Sequence, residues 1–310
     1  MDLVTHQLQS MADKINFPEL EVWVEDYVDI PIVAVAAYLW LVMYVHPKIM
    51  KDRPAFNLKG LNMIWNLLLT VFSFVGAFYC IPRLYELLTA DVVSLVDVGA
   101  IDVQNASPSL RRHLVYDAEN KKLLGIEGSF ETSTCVYHPM LYRRGVSGLL
   151  SVAFMFSKIP EMLDTVFLVL QKKPLVFLHW YHHITVMLYC WHSWISVVPS
   201  GIWFTTMNYF VHTVMYFYYF LASCGYGKAI RPVAPLITFL QIAQMVVGTF
   251  ITVLTFFKAH TAGGCDVNIA NNKLAIIMYA SYFYLFAQFF VKRYLTKPAK
   301  KAETAAKKVE

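Results

Sequence analysis

The chain has 310 residues, 57% of them apolar and 15% charged, against about 45–50% and about 25% in soluble domains. So few charges cannot cover that much apolar surface, which excludes a soluble globule and leaves the excess, including 22 Phe, 19 Tyr and 7 Trp, to face lipid and its interfaces. The net charge of +5 is local, since residues 292–310 hold seven Lys or Arg and two acids; the basic residues form juxtamembrane clusters and exclude a nucleic-acid-binding face.

Residues 1–29 are acidic, with Glu19, Glu21, Glu25, Asp26 and Asp29, and contain no apolar core of a cleaved signal peptide. A spanning helix needs about 20 mostly apolar residues. Seven stretches approach that length: 30–45, 61–81, 146–170, 175–194, 201–222, 233–257 and 274–290. The first and last borrow neighbours to complete a span. Pro174, Pro199 and Pro232 lie just before spans four, five and six, where a missing N–H costs least. The stretch 82–101 is charged every few residues and reads as amphipathic or loop, leading into a long loop over about 91–145. The expectation is an all-α integral membrane protein with seven transmembrane helices, its membrane domain at 30–295 and a basic tail at 296–310.

Orientation follows from the positive-inside rule. Lys48, Lys51, Arg53 and Lys59 fill the first loop, Lys172 and Lys173 the third, Lys228 and Arg231 the fifth, and the tail is basic. All four fall on one side, which is therefore cytosolic. The N-terminus is then luminal and the C-terminus cytosolic.

Ionisable groups inside spans cost roughly 2.5–3.5 kcal/mol each on insertion scales and mark functional sites. Span three carries Lys158, Glu161, Asp164 and Thr165 on one arc. Span four opens with His179, His182 and His183 on one face, at i, i+3 and i+4. Span five has Asn208 and His212 one turn apart, followed by Met215, Tyr216 and Tyr219; span six has Thr238, Gln241 and Gln244. At 1.5 Å per residue, all four groups lie roughly 7–20 Å from the cytosolic ends of their helices. Spans three and five run opposite to four and six, so a common depth points to one site. Pro160 frees the Phe156 carbonyl and is expected to bend span three beside these charges.

These residues resemble the ELO family of very-long-chain fatty acid elongases. The family's K-x-x-E-x-x-D-T run stands here as Lys158-Ile159-Pro160-Glu161-Met162-Leu163-Asp164-Thr165, and its H-x-x-H-H box as His179-Trp180-Tyr181-His182-His183. The N-x-x-x-H-x-x-M-Y-x-Y-Y run begins at Asn208 and ends at Tyr219, and T-x-x-Q-x-x-Q is Thr238 to Gln244. The resemblance covers roughly residues 30–295. Trp180 and Met207 look like the branch acting on saturated and monounsaturated chains. Residues 97–132 depart from the pattern as a longer segment.

The resemblance implies that six of the helices form a barrel-like bundle around an acyl tunnel. It also implies condensation of acyl-CoA with malonyl-CoA to 3-ketoacyl-CoA, CO₂ and CoA, without a cofactor or metal, in the endoplasmic reticulum membrane. None of the five Cys lies in a motif; Cys190, two turns beyond His183, is a weak acceptor candidate, and imidazole can be the nucleophile. His182 is then the acyl acceptor and His212 the acid/base or enolate stabiliser. His179, His183, Asn208 and Gln244 orient rings and donate hydrogen bonds. Lys158, Lys172, Lys173 and Arg231 are the cations available to the CoA phosphates, while Glu161, Asp164, Thr165, Tyr216 and Gln241 complete the substrate-binding set. Implied partners, besides the two CoA substrates and membrane lipid, are the ketoacyl-CoA reductase, dehydratase and enoyl reductase of the cycle, and a second copy of the chain. The alternatives are a histidine-box di-iron desaturase or hydroxylase and a non-enzymatic seven-span receptor or transporter.

Three expectations concern the surfaces. Orientation puts Cys135 and Cys265 on luminal loops, where a disulfide is permitted, and predicts a bridge between them. It makes Asn105, in Asn105-Ala106-Ser107, a luminal glycosylation sequon, weakened by Pro108. The terminus Lys307-Lys308-Val309-Glu310 resembles a dilysine retrieval signal.

Overall fold

In the computed structural model, which describes residues 2–196 and 198–295, the chain is almost entirely helical. Two short helices, α1 (Asp2–Ala12) and α2 (Phe17–Asp26), precede the apolar part. They are not free of it: the Trp191 indole donates to the Val24 carbonyl at 3.1 Å, and Glu21 pairs with Arg143.

The first apolar helix, α3 (Asp29–Trp40), continues as a wide-turn segment over Leu41–Ile49. Pro47 supplies the reason. An α-helical register would need its missing N–H and drive its ring into the Met43 carbonyl, whereas the wider turn pairs Met50 N with Val45 O at 2.9 Å. Next, α4 (Lys59–Thr89) runs 31 residues, about 46 Å at 1.5 Å per residue, beyond the roughly 30 Å hydrocarbon core. The expected end of span two at residue 81 is therefore corrected: Pro82 lies inside the helix, and the stretch after it is helix to Thr89 and loop beyond. Arg83 holds this extension, buried, with bonds to Glu86 at 2.7 Å, Leu141 O at 3.0 Å and Ser94 O at 3.2 Å.

The long loop folds into a cap. It contains α5 (Pro108–Arg112), an antiparallel hairpin of β1 (Leu114–Tyr116) and β2 (Leu123–Ile126), α6 (Phe130–Cys135) and α7 (Pro139–Tyr142). Val93, Ile126, Val136 and Leu141 are buried there against Leu84 and Leu87 of α4. Gly128 is required, because a Cβ on it would stand 2.6 Å from the Glu86 carbonyl oxygen.

Span three is broken, as Pro160 predicts: α8 (Gly145–Ser157), a tight turn at Pro160–Met162, then α9 (Leu163–Leu170). The Phe156 carbonyl freed by the proline accepts Ile159 N at 3.2 Å. After α10 (Phe177–Ile195) come α11 (Gly201–Leu221), the one-turn α12 (Gly227–Ile230), α13 (Ala234–Lys258) and α14 (Ile269–Phe290). Gly225, at φ 105°, turns the chain between α11 and α13, a conformation closed to most L-residues.

Among the described residues four stretches are long and apolar enough to cross a membrane: Asp29–Ile49, Lys59–Thr89, Gly201–Lys258 and Ile269–Leu295. Their outer faces are apolar, as along Leu61, Ile64, Leu68, Val71, Phe74 and Phe78 of α4, a pattern for lipid and not for water. Inside, α4 and α11 meet closely at Gly76, where an added Cβ would lie 2.4 Å from the Tyr209 ring. Residues 296–310, including Lys307 and Lys308, lie outside the described residues.

Candidate active site

A cavity of about 800 Å³ opens between the loops flanking α4 and α10 and runs into the bundle. Its wall is assembled from α4, α9, α10, α11, α13 and α14. The structure brings to it Asp164, Lys173, His179, His182, His183, Asn208, His212, Tyr216, Gln241 and Gln244.

Each polar group in that wall is positioned by a neighbour. Asp164 accepts from the Trp65 indole at 2.6 Å and the Tyr216 hydroxyl at 2.9 Å. Lys158, a buried residue, donates to Glu161 at 2.8 and 3.0 Å and to Asn208 Oδ1 at 3.2 Å. The Asn208 amide meets His212 Nε2 at 3.2 Å, and Ser157 donates to Glu161 at 2.6 Å. Lys158, Glu161, Asn208 and His212 thus form one connected chain, which offsets the cost of burying the ion pair. Gln241 reaches the Met215 sulfur at 3.3 Å.

The histidines of α10 differ from one another. His179 Nε2 shares a 2.9 Å hydrogen bond with Thr165 Oγ1. The His182 ring has no hydrogen-bond partner among the described residues and lies between the rings of Tyr282 at 5.0 Å and His183 at 5.6 Å. His183 is buried, 4.6 Å from the His179 ring. Among the described residues no three His, Cys, Asp or Glu side chains converge as a metal-ligand set.

Several expected members stand elsewhere. Lys158, expected among the cations for the CoA phosphates, is 2% exposed, held by Glu161 and Asn208, and outside the cavity lining. Glu161 and Thr165 lie behind the wall. Lys172 donates to the carbonyls of Lys51 and Arg53 at 2.9 and 3.0 Å, which fastens the α3–α4 loop. Arg231 sits in the turn before α13, outside the cavity lining. Cys190 lines a separate cavity of about 110 Å³ with Tyr189, Ser193 and Trp194.

Sequence reasoning missed Lys59, Asn62 and Asn66, which line the cavity from α4. The i, i+4 amides of a span were a usable signal, and Lys59 was absorbed into the topology count. With Lys173, Lys59 gives the lining its two lysines.

The cap end is braced by different chemistry. Cys135 and Cys265 are joined by a disulfide, flanked by Asp266 N bonding Cys135 O at 2.7 Å. Glu131 bridges Arg112 at 2.5 Å and Lys258 at 3.0 Å. Burial pushes its carboxyl up, but the bonds and charges of Lys258 and Arg112 outweigh this and hold it below its ordinary value. Asn105 is exposed and donates to Asp102 at 2.7 Å, while the Ser107 hydroxyl is bonded to Asp266 at 2.8 Å.

The GNS1/SUR4 (ELO) family model matches residues 23–302. Fatty acid elongase 3 of Trypanosoma cruzi is 48% identical over 281 residues, covering 90% of this chain and 89% of that protein. Fatty acid elongase 3 of Trypanosoma brucei brucei is 42% identical over 275 residues, 88% of this chain and 86% of that one. Very long chain fatty acid elongase 6 of Drosophila melanogaster is 38% identical over 268 residues, 86% and 72% of the two chains. The family match and the relatives extend across the apolar helices that line the cavity, and the chain belongs to the GNS1/SUR4 (ELO) family of multi-pass membrane proteins.

Proposed function

We propose that this protein is a fatty acid elongase, a very-long-chain 3-oxoacyl-CoA synthase that condenses acyl-CoA with malonyl-CoA. The observation carrying the reading is that motifs from four helices meet at one cavity, and that the His182 ring in its wall has no hydrogen-bond partner among the described residues.

In the first step the His182 nitrogen lone pair attacks the thioester carbonyl. The carbon–sulfur bond breaks, CoA leaves as thiolate, and the proton lost from the imidazole neutralises it. Malonyl-CoA then loses CO₂, and the electron pair of the broken carbon–carbon bond forms an enolate. Attack of that carbon on the acyl-imidazole makes the new carbon–carbon bond, breaks the carbon–nitrogen bond and yields 3-ketoacyl-CoA; His182 departs as imidazolate and takes up one proton from water, the proton the overall reaction consumes. His212, oriented by Asn208, stabilises the enolate oxygen. Lys59 and Lys173 at the mouth, with Arg231 nearby in sequence to α13, offer cations to the CoA phosphates.

The architecture that suits this chemistry has seven transmembrane helices, with six, α4 onward, forming a barrel-like bundle around the acyl tunnel. The cavity mouth and the tail at 296–310 face the cytosol; residues 1–29 and the cap face the lumen of the endoplasmic reticulum. Asn105 is then a glycosylation site. The reductase, dehydratase and enoyl reductase of the cycle take the product onward, and a homodimer is the expected assembly.

The test is incubation of purified protein with malonyl-CoA and acyl-CoAs of graded length. The expected products are 3-ketoacyl-CoAs two carbons longer and, with malonyl-CoA withheld, an acyl adduct on the peptide carrying His182. An adduct on Cys190, or no ketoacyl product from any chain length, overturns the reading. A desaturated or hydroxylated product would establish the di-iron alternative.

A further inference from the structure

We propose that Tyr38, on a helix that contributes nothing to the cavity lining, is a positioning residue: through Thr165 it fixes His179 in its Nδ1–H tautomer and so sets that ring as a hydrogen-bond donor to the reacting thioester. The inference rests on the elongase reading for the identity of the acceptor, but not for the tautomer.

The geometry is a three-member relay. The Tyr38 hydroxyl, on α3, lies 2.6 Å from Thr165 Oγ1, on α9. Thr165 Oγ1 lies 2.9 Å from His179 Nε2, on α10. Tyr38 is 4% exposed and Thr165 0%, so water does not complete their hydrogen bonding. No residue of α3 lines the cavity, while His179 does.

Counting protons gives the relay a direction. Each hydroxyl owns one hydrogen. Among the described residues the Tyr38 hydroxyl has a single partner, Thr165 Oγ1. If Thr165 donated to Tyr38, the buried Tyr38 proton would have no acceptor, and its full desolvation cost would fall on the folded state. Tyr38 must therefore donate to Thr165. The one proton of Thr165 then goes to His179 Nε2, the other partner of that oxygen. An imidazole that accepts at Nε2 carries its proton on Nδ1 when neutral. His179 Nδ1 has no hydrogen-bond partner among the described residues, which leaves its N–H for the substrate. A donor fixed in advance, where oxygen charge develops as a thioester is attacked, lowers the barrier without reorganisation.

A Tyr38 that only filled space would be replaced by Phe without consequence for kcat. The relay predicts otherwise. Tyr38→Phe should lower kcat about tenfold with KM for acyl-CoA nearly unchanged, because what is weakened acts in the transition state. Thr165→Val should lower kcat at least as much, Thr165→Ser should retain most of it, and Tyr38→Phe with Thr165→Val together should be no worse than Thr165→Val alone. The direct readout is ¹⁵N NMR of histidine-labelled protein in detergent, with the His179 signals assigned by their loss in His179→Gln. Wild type should show His179 Nε2 unprotonated, and Tyr38→Phe should shift that nitrogen toward the protonated position. A protonated Nε2 in wild type, or additive losses in the double variant, overturns the proposal. If Tyr38→Phe does not accumulate, equal kcat in Thr165→Ser and Thr165→Val overturns it instead. The tautomer measurement needs no turnover: wild-type protein that makes no ketoacyl-CoA sinks the elongase reading, while the spectrum still decides the relay.

Discussion

The cavity and the cap use polar groups in opposite ways. In the cap the strong interactions tie it to the helices beneath: the Cys135–Cys265 disulfide, the Arg112–Glu131–Lys258 bridge, and Arg83 of α4 spread over Glu86 and the carbonyls of Ser94, Met140 and Leu141. In the cavity the outer members of each network are satisfied and the innermost are left open. Asp164 is held by Trp65 and Tyr216, and Lys158 by Glu161 and Asn208, yet the His182 ring has no hydrogen-bond partner among the described residues. Satisfied groups hold structure; an open one in a rigid frame is available for chemistry. The contrast predicts that damage to the cap costs stability and spares turnover, while damage to the cavity does the reverse.

The sharpest break of that contrast is His182→Ala. It should lower condensation by at least about 10³-fold, as loss of a covalent nucleophile does, with abundance and thermal midpoint in detergent close to wild type. Near-normal turnover at normal abundance would remove His182 from the chemistry. A collapse in stability would show that the open ring was structural after all.

Cys135→Ser tests the other end. The bridge closes a separation of 130 residues, for which chain entropy alone would allow roughly 4–5 kcal/mol; membrane insertion already confines the unfolded chain, so about 2 kcal/mol is expected. Thermal midpoint in detergent should fall relative to wild type without reductant, the difference should close once reductant has opened the wild-type bridge, and turnover at low temperature should persist. Non-reducing peptide mapping should find Cys135 and Cys265 together in wild type; two separately alkylatable thiols would contradict both the bridge and the luminal placement of these loops.

Gly76→Ala sharpens the comparison at the boundary. The added methyl would overlap the Tyr209 ring, which is fixed by Phe72 and Phe154 edges at 5.4 and 5.3 Å and by its hydroxyl on Leu150 O at 2.9 Å. Tyr209 adjoins Asn208 and lies one turn from His212, so displacing α11 moves the cavity as well. A stability loss of about 1–2 kcal/mol should come with a lowered kcat. Loss of stability with unchanged kcat would mean that α11 absorbs the shift locally.

The same contrast explains what the sequence disclosed. Charges and imidazoles in a span are costly enough to stand out, so Lys158, Glu161, Asp164, the α10 histidines and His212 were legible, and opposite helix directions gave them a common depth. Asn62 and Asn66 escaped notice because uncharged amides are penalised less and follow a topology-marking lysine. Tyr38 and Trp65 are apolar rings with one polar atom, indistinguishable in sequence from interfacial aromatics until their partners are known. The Pro160 break was readable because a missing N–H has one local consequence, whereas Pro82 stayed within its helix through tertiary bonds of Arg83 that no local pattern carries. The cap was illegible for a related reason: its elements run three to six residues, too short for periodicity, and the cap coheres through contacts distant in sequence.

The smallest expected effect is a pH dependence of the cap. The Glu131 carboxylate, lying between Arg112 and Lys258, titrates below its ordinary value of 4.5 despite partial burial. A carboxyl whose folded pKa is depressed binds protons more readily in the unfolded chain, so its stabilisation is complete above the unfolded value and is lost as pH falls through the folded one. The window therefore lies from about 4.5 downward. Near neutral pH the contribution is constant. Glu131→Gln keeps the shape and removes the charge, so wild type and variant should differ in thermal midpoint at pH 7 and converge as pH falls through that window. Because the carboxylate is a quarter exposed and its Arg112 partner more so, salt should shrink the difference. A gap that widens in acid would mean that Glu131 is stabilised as the neutral acid, which the two cations beside it forbid. Equal midpoints at pH 7 would assign the bracing of the cap to the disulfide and the Arg83 network alone.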